Sequence, residues 1–138
     1  MTGVQTCALP ICRLVRDLDL PVRVEICPTV READGLAMSS RNALLDVEAR
    51  ERATALSRAL FAVERCVAGG ETLAEAALAK GNAILESAGI EPEYFAAVDA
   101  ESLATVTGFE QPTLVAIAAR VGGVRLIDNV IVGGGIAV

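Results

Sequence analysis

A chain of 138 residues with net charge −6, 53% hydrophobic residues and 3% aromatics is one domain or a piece of a larger protein, with a core of Ala, Val, Leu and Ile. The acidic balance argues against a nucleic-acid surface, which needs a cationic face to neutralise phosphate. The absence of His excludes His-based acid–base chemistry and His metal sites from this chain, and no apolar run is long enough to span a bilayer.

The opening "MTGVQTCALPIC" carries no charge. It lacks the basic start of a signal peptide, and Pro10 interrupts its short apolar run. In "LPIC", Ile11 stands where a lipoprotein box needs a small residue, and Cys7 and Cys12 lack the C-x-x-C spacing of a redox or zinc loop. "RLVRDLDLP" reads as the last turns of a helix, with Leu14 and Leu18 on one face and Pro21 ending it. "VRVEICPTV" alternates Val22, Val24 and Ile26 with Arg23 and Glu25, which predicts a strand over Val22–Ile26. "READGLAMSSRN" is a polar loop with a turn at Asp34-Gly35.

A long helix is expected in "DVEARERATALSRALFAVERCVAGG", with Asp46 as N-cap and Gly69-Gly70 as its stop. Ala53, Leu56, Leu60, Val63 and Val67 recur at spacings of three and four, forming one apolar stripe. Glu48 and Arg52 are placed for an i,i+4 ion pair. A second helix runs through "TLAEAALAKGNAILESAG", with a capping box from Thr72 and Glu75 and Gly89 at C′. Gly81 inside it costs about 1 kcal/mol of helix propensity relative to Ala, to be offset by the packing of Leu78, Ile84 and Leu85. "EYFAAVDA" reads as a strand; "TLVAIAARV" and "VRLIDNVIV" flank Gly122-Gly123 as a hairpin with a primed turn.

The chemistry concentrates in "CPTVREADGLAMSSRN", a loop leaving the carboxyl end of the expected strand, where ligands sit in open α/β sheets. Ser39, Ser40 and Arg41 gather two hydroxyls and a guanidinium before a helical segment, and such groups hold phosphate. The plainer reading of the same residues is a serine capping a short helix beside a solvated arginine. Cys27 reads as a small apolar residue at a strand end, and Arg31, Glu32 and Asp34 as loop structure.

This stretch resembles the signature of the pantothenate synthetase (pantoate–β-alanine ligase) family. The resemblance continues through "SRAL", "EPEYFAAVD" and "AARVGGVRLIDN", from about Arg13 to Val132. It implies an adenylate-forming enzyme of the class I synthetase type, with a Rossmann-type ATP domain followed by a small α+β lid. The expected fold is therefore α/β. Residues 13–45 would be the tail of a Rossmann-like nucleotide-binding domain, one helix and one strand with the phosphate loop. Residues 46–138 would be an α+β domain of two helices and a three-stranded antiparallel sheet.

The implied reaction condenses pantoate with β-alanine at the expense of ATP, through pantoyl adenylate, releasing pyrophosphate and AMP. The resemblance assigns ATP-phosphate contact to Ser39, Ser40 and Arg41, and places Val30 and Met38 beside the adenine and ribose. It implies Mg²⁺ bound with ATP, a homodimeric full-length protein and a cytoplasmic location. It assigns no catalytic residue here with certainty; Asp128 and Asn129, which match the family pattern, read as hairpin packing and capping. The family's H-x-G-H motif has no counterpart in a chain without His, so the 138 residues alone are expected to be inactive. Two other readings stay open: a piece of another adenylate-forming enzyme, or a non-enzymatic α+β module binding a nucleotide or a protein. Met1 through Ile11 is also similar to the translation of a short-read sequencing adapter, with GTG as start, and residues 1–12 are accordingly expected to be non-native.

Overall fold

The computed structural model describes residues 8–134, so most of the opening segment and the last residues of the "VGGGIAV" ending lie outside the described residues. Helix α1 spans Ala8–Asp17, α2 Val47–Ala68 and α3 Ala74–Ser87; a 3-10 helix covers Ser40–Leu44. Strands β1 (Pro92–Asp99), β2 (Thr113–Val121) and β3 (Val124–Val132) form an antiparallel sheet in the order β1-β2-β3. The architecture is the expected α/β one, with helices α2 and α3 backing the sheet.

The core lies between that sheet and the two helices. Ala53, Leu56, Leu60 and Val63 of α2 are buried as the stripe requires, against Val115, Ile117, Ala119 and Val121 of β2. With few aromatics, α2 fills its buried side with alanines (Ala49, Ala53, Ala55, Ala59, Ala62), which allow close approach to α3 and β2. The Asp46 carboxylate accepts from the Ala49 N–H at 2.8 Å, the expected N-cap. Gly122 and Gly123 take φ of +57° and +79°, the two left-handed residues that a type I′ hairpin turn demands.

Gly81 has a reason that its own helix does not reveal. The ring of Phe95, from β1, occupies the space of a side chain there: a Cβ on Gly81 would lie 2.5 Å from two of its ring carbons.

Four expectations fail. No strand forms over Val22–Ile26; residues 22–30 are irregular and mostly exposed, because the sheet has no neighbour there to pair with them. The helix expected in "RLVRDLDLP" forms as α1, but Pro21 does not end it: α1 stops at Asp17 and leaves Leu18 outside. The capping box is absent: Thr72 does not cap α3, and Glu71 instead accepts from the N–H groups of Thr72 and Leu73, each at 2.9 Å. The N–H of Ala74 is taken by Thr107 C=O, so tertiary structure, not the local motif, starts this helix. Arg52 turns from Glu48 to donate to the carbonyls of Ala88 and Gly89, orphan acceptors at the end of α3.

Candidate functional site

The polar loop folds into a small hairpin. Glu32 N–H donates to Leu36 C=O at 2.8 Å, Met38 N–H to Val30 C=O at 2.9 Å, and Gly35 turns the tip at φ +93°. The Asp34 carboxylate stabilises the turn by accepting from Leu36 N–H at 3.2 Å, and it pairs with Arg50 of α2 at 2.7 Å. The Arg50 hydrogen bond, followed by that of Leu36, holds the Asp34 carboxyl below its usual range. Leu36 inserts into the main core.

One side chain locks this hairpin to the sheet. Arg31 donates from both guanidinium nitrogens to the Asp128 carboxylate of β3, at 2.6 and 3.0 Å, and again to Gly35 C=O at 3.0 Å. Its guanidinium lies 4.9 Å from the centre of the Phe61 ring on α2, within cation–π range. The Arg31 side chain is 17% exposed and that of Asp128 is 3% exposed. This is a fork–fork pair whose orientation is fixed by the carboxylate, the Gly35 carbonyl and the Phe61 ring together. Asp128 also accepts from Asn129 N–H at 2.7 Å, so the expected capping is present but secondary.

Between the loop and β3 lies a cleft of about 220 Å³. Met38, Ser39, Arg41 and Asn42 line one side, and Arg125 to Asn129 the other. Ser39 is the N-cap of the 3-10 helix: its Oγ accepts from Arg41 N–H at 3.2 Å, which leaves the hydroxyl proton free to donate. Arg41 Nη1 makes one long 3.4 Å bond to Arg125 C=O. Asn42 donates to Ala37 C=O at 3.0 Å and ties the loop to itself.

The structure thus brings Met38, Ser39 and Arg41 to one cleft. Ser40 is exposed as the first residue of the 3-10 helix and does not line it. Val30 lies across the hairpin from Met38, and the two are 65% and 56% exposed; Met38 lines the cleft and Val30 does not. Cys27 is an exposed thiol on irregular chain, not a strand end. Arg31 and Asp128 are the residues that sequence reasoning undervalued. Their separation of 97 positions hides the pair, although a buried acidic residue in a mostly apolar strand signals a partner.

Arg125 enters the cleft wall already paired. Its Nε donates to Glu93 at 2.8 Å, and Arg120 shares that carboxylate at 3.3 Å. The Arg125 hydrogen bond is the main cause holding Glu93 below the usual carboxylate range. Among the described residues, Asp128 is the one carboxylate lining the cleft, and Arg31 occupies both its oxygens. No cluster of three or more His, Cys, Asp or Glu among the described residues could hold a metal ion, so the cleft itself offers Mg²⁺ no free carboxylate. No described helix is long and apolar enough to cross a membrane.

The same architecture occurs in the crystal structure of pantothenate synthetase from Thermus thermophilus, with a TM-score of 0.82 at 41% identity over 88% of this chain and 44% of that one. The chain therefore has the α/β fold of the matching part of that enzyme. More particularly, it belongs to the pantoate-beta-alanine ligase family, whose family model matches residues 4–131. The pantothenate synthetase of Acidobacterium capsulatum is 48% identical over 122 residues. The bifunctional pantoate ligase/cytidylate kinase of Synechococcus elongatus is 47% identical over 120. The chain spans 41% of the first of these proteins and 23% of the second. A Francisella tularensis pantoate-beta-alanine ligase, solved with beta-gamma ATP and beta-alanine, shares the fold at 23% identity and a TM-score of 0.58.

Proposed function

We propose that this chain supplies one wall of the ATP site of a pantoate–β-alanine ligase. The observation that carries this reading is the convergence of Met38, Ser39 and Arg41 on the cleft against β3. In the reaction, an oxygen of the pantoate carboxylate bonds to the α-phosphorus of ATP as pyrophosphate departs. The amine of β-alanine then bonds to the acyl carbon of pantoyl adenylate, and AMP leaves with the acyl C–O bond pair. A carboxylate is a poor acyl donor until AMP becomes its leaving group, and charge then builds on transferring phosphate oxygens. Fixed cationic and hydroxyl donors lower that barrier.

The geometry suits each assigned role. Among the described residues the Arg41 guanidinium makes one long hydrogen bond, so it can exchange Arg125 C=O for phosphate at small cost. Ser39 has a free hydroxyl proton, while Ser40, exposed outside the cleft lining, keeps its phosphate role from the family resemblance alone. Val30 and Met38 are exposed apolar side chains that a base and ribose can cover. Mg²⁺ would arrive with the nucleotide, since it keeps most of its ligands as water and phosphate. The expectation that these 138 residues alone form no AMP from ATP, pantoate and β-alanine is supported by their span of 41% of the A. capsulatum relative and their lack of His.

An NMR titration of the 138-residue chain with millimolar ATP tests the assignment. Amide shifts are expected at Met38–Arg41 and across Arg125–Asn129, and are abolished by Arg41→Ala. Shifts confined to other surfaces, or unchanged in R41A, would refute it. Pantoate- and β-alanine-dependent AMP formation by the same chain would refute its inactivity.

A further inference from the structure

We propose that Arg125 is the second guanidinium of the phosphate site: with Arg41 it clamps the polyphosphate of a nucleotide, and it selects the triphosphate over the monophosphate. This deepens the ATP-site reading above and rests on it.

The loop lies along β3 in a fixed direction. Arg31 is anchored at Asp128 and Arg41 at the Arg125 carbonyl, positions roughly 10 Å apart along the strand. Val30 adjoins Arg31, and Met38 donates to the Val30 carbonyl at 2.9 Å, so this apolar pair sits toward the Asp128 end. A nucleoside resting there sends its phosphate chain past Ser39 to Arg41. Arg125 is the next cation in line, beyond the α-phosphate.

The sheet holds Arg125 ready for that contact. Its side chain is 39% exposed, and the residue lines the cleft. Its Nε donates to Glu93 at 2.8 Å, which leaves the fork of its two terminal nitrogens for a second anion. The hydrogen bond and charge of Glu93, and after them Tyr94, favour the charged guanidinium. Glu93 reaches this far because of a β-bulge. The β1–β2 register shifts between Pro92 and Tyr94, and the carboxylate crosses β2 to meet both Arg120, at 3.3 Å, and Arg125.

Stability alone does not call for an arginine at this position. Arg120 and Arg125 stand directly opposite each other on β2 and β3, a like-charge pairing that weakens a sheet. Glu93 offsets one of the two charges, so net positive charge stays at this end of the cleft. Asp128 has both oxygens on Arg31 and does not compete for Arg125. A local rule broken without a stabilising return marks a functional position.

NMR titration of the 138-residue chain with ATP and with AMP, at one fixed salt concentration, tests this. Arg125→Gln should weaken ATP binding at least about tenfold, the worth of a charge-assisted hydrogen bond, and change AMP affinity by less than about twofold. Arg125→Lys should regain only part of that loss, because an ammonium is a point charge and not a fork. Arg120→Gln, outside the cleft lining, should leave both affinities within about twofold. Glu93 keeps Arg120 in R125Q, so no charge is stranded and the urea midpoint should stay within experimental error. Equal losses for ATP and AMP in R125Q, an equal ATP loss in R120Q, or full recovery in R125K would each overturn the clamp. If Arg41→Ala abolishes ATP binding while R125Q leaves it intact, the ATP-site reading survives and this inference falls. If the wild type does not bind ATP, both fall.

Discussion

Replacing Gly81 by Ala sets helix propensity against packing, and the two predict opposite signs. Gly81 lies inside α3 without positive φ, so Ala should gain about 1 kcal/mol from propensity alone. The new Cβ, however, would stand 2.5 Å from Cε1 and Cζ of Phe95 and 3.1 Å from Ala59 C=O. Carbon atoms settle at about 3.5–4.0 Å, so the ring or the helix must retreat by roughly 1 Å. Neither moves freely: Phe95 is packed against the core from β1, while α3 also packs on α2. Overpacking of this kind costs about 1–3 kcal/mol, leaving a net loss of about 1 kcal/mol. With a urea slope of about 1–3 kcal/mol per molar, the midpoint should fall by roughly 0.5 M. The companion variant Phe95→Leu removes the clashing atoms. In that background Gly81→Ala should become stabilising, approaching the propensity gain of about 1 kcal/mol. A single variant as stable as the wild type, or no change of sign with F95L, would refute the reasoning.

Two further outcomes follow from the caps and charges. Asp46→Ala removes the acceptor for Ala49 N–H and should cost about 1 kcal/mol in urea unfolding, with Asp46→Asn nearly neutral. Because Asp34 has its carboxyl lowered by Arg50, docking of the loop tip gains stability above the ordinary carboxylate pKa and loses it as pH falls through the lowered one. Carbon-detected titration should show Arg50→Gln moving the Asp34 transition upward; an unmoved transition would show that the ion pair does not form in solution.

The elements that could be read in the sequence are those whose stabilising partners are local or periodic. The stripe of Ala53, Leu56, Leu60 and Val63, the Asp46 cap and the Gly122-Gly123 turn are each complete within a few residues, and each forms as expected. The failures share a cause of the opposite kind. Val22–Ile26 alternates as a strand should, but a strand exists only with a neighbour, and alternation does not report one. Thr72 and Glu75 have capping-box spacing, yet Glu71 and Thr107 reach the α3 amides first. At the site, Ser39 and Arg41 were legible as chemistry because hydroxyl and guanidinium types cluster in sequence. The plainer reading of Ser39 as a helix cap holds, and the cap uses its oxygen while its proton stays free. Arg31 and Asp128 were legible only as residue types, and their role depends on a contact between distant parts of the chain.

The sheet order leaves β3 at an edge, and the loop that shapes the cleft lies along it. Two main-chain groups there already have partners: Arg125 C=O takes Arg41, and Asn129 N–H takes the carboxylate of Asp128. An uncovered edge strand is a template for another molecule's strand. The same side chains that furnish the cleft therefore also guard the protein against self-association. Substitutions at Arg41 or Asp128 carry a solubility cost separate from their effect on ligand binding, and yield of soluble protein is the first place it will register.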